Sequence, residues 1–306
     1  MAAANTAPET GKVAIATMSA RRTARWSQLA SRWRQSVVGI AGTIVIAAIL
    51  FIAAFAPLIA PYDPAEHHRA QRFLPPAWMV GGEPSYLLGT DQLGRDILSR
   101  ILFGSRISVT VGISAVLVSG TIGVTAGFLA GYFGGRVDLV VSRLLDVFLA
   151  VPFIILTLAV IGVLGPNLIT IIFVLGVSGW ATFARVVRGE VLSVKQREYV
   201  LAAQVTGAAW PRIAFRHVLP NIAASIIVLA TLDVASVILA ESSLSYLGLG
   251  VQPPTVTWGT MIADGREYLT SVWWLATFPG MAIMFTVLGI ILLGDWLRDV
   301  LDPKLK

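Results

Sequence analysis

Apolar positions gather into six long runs separated by polar segments, near residues 37–60, 106–131, 138–164, 168–187, 222–247 and 276–297. Each is about 20 residues or longer, the length at which a helix crosses a hydrocarbon core. The pattern predicts an all-α integral membrane fold, six transmembrane helices in one domain with no internal repeat. Between the fourth and fifth runs the pattern breaks at REYVLAAQVTGAAWPRIAFRHVLPN, residues 197–221. Ser193 with Gln196 three residues on is a capping-box pattern, predicting a helix from Val194. Gly207 suits the left-handed position just past a helix end. Pro211 fits the first turn of a second short helix reaching about Leu219. Pro220 then ends it, and Asn221 caps the fifth span. These signals predict a compact hairpin within a loop at 188–221.

Spacing predicts three further elements. Ile97, Leu98, Ile101 and Leu102 form an apolar stripe while Asp96, Ser99 and Arg100 face away, an amphipathic helix ahead of the second span. Trp26, Leu29, Ala30 and Trp33 recur at helical spacing with Arg25 and Arg32 off the stripe, a short helix for the inner interface. Pro152 and Pro279 predict kinks in the third and sixth spans. The chain divides into a tail at 1–36, a first span with an external segment at 37–105, a core at 106–297 and a short tail at 298–306. Residues 1–36 lack the apolar core of a cleavable signal.

Charge sets the orientation. Before the first span stand Lys12, Arg21, Arg22, Arg25, Arg32 and Arg34 against Glu9 alone. Around the hairpin stand Arg185, Arg188, Lys195, Arg197, Arg212 and Arg216 against Glu190 and Glu198. Segment 61–104 balances five acids with four arginines, and 248–275 carries only Asp264, Arg266 and Glu267. The positive-inside rule therefore places both termini and the 188–221 loop in the cytoplasm. Composition agrees: of 306 residues 56% are apolar and only 13% charged, so lipid is most of the solvent. The net charge of +6 is accounted for by orientation and gives no case for a nucleic-acid partner.

No cysteine is present, which excludes disulfides, zinc–thiolate sites and thiol catalysis. His67–His68 lacks a ligand set, so no metal site is expected. No GxxxxGK[ST], HExxH or GxSxG occurs, so the chain has neither the usual ATP cradle nor a recognisable hydrolytic set. In the hairpin, Ala202, Ala203, Gly207, Ala208 and Ala209 permit close backbone approach. Trp210 beside them is either an interface anchor or a residue resting among headgroups. His217 has no carboxylate or serine at a telling spacing and is read as packed or interfacial.

The hairpin resembles the cytoplasmic loop of binding-protein-dependent ABC importer permeases, whose pattern is E-A-A, three residues, G, nine residues, I-x-L-P. Ala202, Ala203, Gly207, Leu219 and Pro220 match in register; Leu201 replaces the Glu and His217 the Ile. The ending R-H-x-L-P-N is similar to the dipeptide/oligopeptide branch. Residues 88–109, 239–250 with Pro253–Pro254 and Trp258–Gly259, 273–283 and 294–305 resemble further signatures in order, covering roughly 85–306. The resemblance implies a type I ABC importer permease architecture and a second-permease (C-type) subunit of a prokaryotic inner membrane. It also implies a second, homologous permease, two cytoplasmic ATPases using ATP and Mg, and an external binding protein, with no cofactor in this chain. The coupling contact would then include Ala202, Ala203, Gly207, Ala208, Trp210, Arg212, Leu219 and Pro220. Asp91, Arg95 and Asp96 would belong to scaffolding or to a landing site for the binding protein. The substrate would be a di- or oligopeptide, or else a nickel chelate, glutathione or another small solute.

Ionisable side chains inside the bilayer need a reason. Asp233 lies about 12 residues into the fifth span, roughly 18 Å deep, and Glu241 follows about 80° around the helix. Ser242, Ser243 and Ser245 extend that strip outward. It either lines a translocation path or makes buried hydrogen bonds to a neighbour. A secondary transporter, the remaining class, would have only Asp233 and Glu241 for an ion site. Arg143 and Asp146, three apart in the third span, form either a structural pair or part of an inner gate.

Overall fold

A computed structural model of the chain describes Trp33 and residues 36–301, and within them the regular elements are helical. The long helices are α1 (Val37–Ile59), α2 (Ile97–Phe133), α5 (Leu168–Lys195), α8 (Leu219–Tyr246) and α10 (Trp274–Leu301). The shorter ones are α3 (Gly135–Ala150), α4 (Phe153–Leu164), α6 (Glu198–Val205), α7 (Trp210–Ile213) and α9 (Trp258–Gly265). Five helical stretches are long and apolar enough to cross a membrane, and α3 with α4 makes a sixth if taken as one span. The expected interfacial helix at 26–33 lies outside the described residues except for Trp33, whose indole donates to Thr43 Oγ1 at 3.1 Å. Most of the 298–306 tail also lies outside them, although α10 continues to Leu301.

Two boundaries differ from expectation. The external amphipathic helix and the second span are one helix, α2, whose 37 residues extend about 55 Å. Asp96 caps it by accepting from the Ser99 amide at 2.7 Å, and no proline interrupts the helix from there to Phe133. The third span is not a kinked helix but two helices at 87°, α3 and α4. Pro152 forces Val151 into an extended conformation and supplies no amide, so the ladder cannot continue. Pro279, by contrast, sits within the unbroken α10.

The bundle is organised by α2 against α5, with α8 packed across both and α1 with α10 on the flank. The seam is made of glycine. A Cβ on Gly123 would meet the Trp180 carbonyl at 2.5 Å, and one on Gly127 the Ala184 carbonyl more closely still. One on Gly131 would meet the Arg188 carbonyl at 2.9 Å. This four-residue spacing lets two backbones touch, which in lipid replaces the missing hydrophobic drive between helices. Gly42 and Gly289 do the same between α1 and α10, where a Cβ would strike Leu293 N at 2.6 Å or Val45 Cγ1 at 2.5 Å.

Substituting Gly127→Val should therefore destabilise the bundle by about 3 kcal/mol or more, since its neighbour is backbone and cannot yield. Gly162→Ala, in a helix with open space around it, should be neutral. Melting temperature in detergent and the amount in the membrane check both; a tolerated Gly127→Val would refute the seam.

Candidate functional site

The segment after α5 builds a hairpin, though not from the residue expected to start it. Val187, Val191 and Val194 continue one apolar stripe into a core with Phe128, Tyr132 and Val218, so α5 runs on to Lys195. Ser193 caps nothing; α6 begins at Glu198. At its end Gly207 has φ +77, its amide donates to Gln204 O and the Ala208 amide to Ala203 O. That is a Schellman stop, as the sequence predicts. Pro211 lies in the first turn of α7, also as predicted. Pro220 does not end a helix. Residues 214–218 form a π turn that carries α7 into α8, so Trp210–Tyr246 runs on as one span candidate. Asn221 is not a cap; its Nδ2 donates to His217 O at 2.6 Å, a carbonyl just ahead of the proline.

The hairpin is seated by Val200, Ile213, Ala214 and Val218, all buried against α2 and α5. Ala203, Ala208 and Leu219 turn toward that core, whereas Ala202, Gly207, Arg212 and Pro220 are exposed. Trp210 is half-exposed and lies edge-on to Phe133 at 5.5 Å, so its ring is braced by the end of α2. Lys195 Nζ reinforces the same corner by reaching Tyr132 O at 2.5 Å. Apolar side chains that the motif did not single out complete the open face: Leu201, Phe215 and, 88% exposed, Val205. His217 sits half-buried beside the Tyr199 ring at 6.2 Å.

In α8, Glu241 and Ser245 are fully packed, not open. One Glu241 oxygen accepts from Ser245 Oγ and from Thr257 Oγ1, each at 2.8 Å, clasping α8 to the turn that starts α9. Ser242 is half-buried with its hydroxyl on Ile238 O. Behind the clasp, the buried Trp258 donates its indole to Ile101 O at 3.0 Å and its amide to Ser108 Oγ at 3.2 Å. Of the polar strip, Asp233 alone keeps an ionisable group without such a clasp. It is partly buried where α2, α5 and α8 converge, with Oδ2 3.7 Å from where a Gly179 Cβ would stand.

Asp91 and Asp96 are each only 2% exposed, so they scaffold rather than present a surface. Asp91 Oδ2 accepts from Arg95 Nε at 2.7 Å and from Arg100 Nη1, and both arginines reach Asp264 of α9, at 3.4 and 3.1 Å. Burial pushes the Asp91 carboxyl up, but Arg100, Arg95 and two backbone amides outweigh it and hold it below its usual value. Burial pushes Asp96 up, and the Ser99 donors only partly offset that. The apolar stripe predicts that the polar side of this helix faces water; instead the 61–96 segment and α9 cover it. Neither Asp96, Ser99 nor Arg100 is exposed. Among the side chains that stay exposed nearby are the apolar Trp78, Val80 and Leu87.

Residues 123–306 match the family described as binding-protein-dependent transport system inner membrane component, and 24–76 match the N-terminal TM domain of oligopeptide transport permease C. The chain is 44% identical over 267 residues to the di/tripeptide transport system permease protein DppC of Pseudomonas aeruginosa, covering 87% of this chain and 88% of that one. It is 45% identical to the dipeptide transport system permease protein DppC of Escherichia coli K12, over 87% of this chain and 89% of that one. To the oligopeptide transport system permease protein OppC of Bacillus subtilis it is 41% identical, over 92% and 90%. With its multiple apolar spans and its Gly207 hairpin, the chain belongs to the binding-protein-dependent inner membrane permeases, the membrane-spanning subunits of ABC importers.

Proposed function

We propose that this chain is one non-catalytic half of the passage through an ATP-driven importer of di- and oligopeptides. The observation that carries the reading is the hairpin. It is anchored by its buried side and leaves Leu201, Val205 and Phe215 exposed. An ATPase subunit would seat on that face, and ATP and Mg would be used there and not here. Leu201 in place of the motif's Glu makes the contact apolar where an ion pair would otherwise form. Two ATPases, a second homologous permease and an external binding protein complete the assembly. The names of the relatives support peptides as cargo.

The basic excess around the hairpin supports a cytoplasmic position for it and for both termini. The external binding protein would then land on the opposite rim, on Trp78, Val80 and Leu87, held in place by the Asp91 cluster beneath. Asp233 is proposed to meet the passage when α2, α5 and α8 part.

Two outcomes test this reading. Val205→Asp should weaken capture of the ATPases by about 30-fold, the equivalent of a 2 kcal/mol interface loss. Because Val205 is exposed, the amount of permease in the membrane should stay at wild-type level; copurification measures the first and immunoblotting the second. Asp233→Asn should lower ATP-dependent uptake by about tenfold. Unchanged uptake at normal expression would remove Asp233 from the passage.

A further inference from the structure

We propose that Arg143 and Asp146, on the open face of α3, form a station in the inner half of the passage that receives the charged termini of a peptide zwitterion. This rests on the reading of the chain as a peptide permease.

The contacts of α3 set its depth. At one end Asp138 is paired bidentately with Arg188; farther along, Phe148 meets Trp180 edge-on at 5.4 Å. Leu145 packs between them with Ala181 and Ala184. These contacts lay α3 along eight residues of α5, about 12 Å of its length. Because α3 and α4 meet at 87°, their lengths do not add along one axis. The level of α3 is set by the residues it touches, Trp180 to Arg188, in the C-terminal half of α5.

The face of α3 turned away from α5 carries Arg143 and Asp146 among exposed apolar side chains, Leu139, Val140 and Val147. Asp138, Val141, Leu145 and Phe148 fall on the face toward α5. Arg143 and Asp146 point elsewhere, with side chains 77% and 61% exposed. Their separation of 3.8 Å is beyond a direct hydrogen bond, so the guanidinium keeps its donors and the carboxylate its acceptor sites. Lipid is a poor neighbour for such a pair, whereas water or a polar cargo is a good one.

A zwitterion matches the pair by exchange. The peptide carboxylate takes the planar fork of Arg143, for which it is the natural partner. Asp146, released, takes the ammonium. One ion pair becomes two, and no charge is left alone. A solute with a single charge would strand one of the two side chains, which makes the station selective for cargo charged at both ends.

The test uses the complete importer in proteoliposomes, with dialanine, its C-terminal amide and its N-acetyl derivative as probes. Arg143→Gln should lower dialanine uptake about tenfold while the amide, transported less from the start, falls no further. Asp146→Asn should behave likewise toward dialanine and the N-acetyl form. Wild-type uptake of dialanine by both variants, or an equal loss for all three probes, would overturn the station. Because the chain has no cysteine, Arg143→Cys and Leu139→Cys supply a second readout. A water-soluble thiol reagent should label both, and dialanine should protect the first. Absence of labelling means that lipid or the second permease covers the face and also overturns it. If the wild-type importer takes up no dialanine at all, the peptide reading itself fails, and labelling still decides whether this face is open to water.

Discussion

The glycine seam between α2 and α5 is the constraint on which the rest depends. In lipid, apolar side chains gain little by leaving one helix surface for another, so tight association needs backbone contact. Gly123, Gly127 and Gly131 supply it along three successive turns against Trp180, Ala184 and Arg188. The seam also fixes the inner end of α2, where Phe128 and Tyr132 stack at 5.4 Å and Phe133 meets Trp210. The hairpin is built on that platform. Its position relative to the bundle is therefore set by a backbone contact and not by flexible side chains.

Charge is used in two distinct ways. Beside the start of α2, Asp91, Arg95, Arg100 and Asp264 are paired and mostly withdrawn from solvent, and removing one member would leave its partners buried and uncompensated. Glu241 is likewise consumed by Ser245 and Thr257. These groups hold elements together. Arg143 and Asp146 have the opposite character: they are loosely paired and mostly exposed. The bilayer tolerates an open ion pair only where something polar comes to meet it.

Much of this is legible in the sequence, and the misses have physical causes. Five spans, the Gly207 stop and Pro211 in a first turn come from hydropathy and local chemistry, which act over a few residues. The false start at Val194 arises because a capping box is a local signal, whereas the Val187–Val191–Val194 stripe is satisfied by Phe128 and Tyr132 of α2, far away in sequence, together with the hairpin's Ile213 and Val218. Asp96, Ser99 and Arg100 look solvent-facing for the same reason; the elements that cover them, the 61–96 segment and α9, are irregular or short and leave no periodic trace. The seam is readable as Gly123-xxx-Gly127-xxx-Gly131, yet nothing local says which helix it meets. Glu241 looks like a path residue because spacing shows a face and not what packs upon it.

Placing Pro220 inside a continuous helix changes what the hairpin can transmit. A helix broken there would leave the hairpin and α8 free to move separately. Instead the π turn at 214–218 absorbs the missing amide, and Trp210–Tyr246 continues as one rod. At one end the rod carries the exposed apolar face of the hairpin; toward the other, Glu241 is hydrogen-bonded to Thr257, and Trp258 to Ile101. The hairpin and the turn at Thr257 are therefore joined through one helix, which also packs against α2 and α5. Asp233 lies close to the middle of that rod, at the junction of the three helices. The irregular turn in the rod is the π turn, and it stands between the hairpin and the long helix that continues from it.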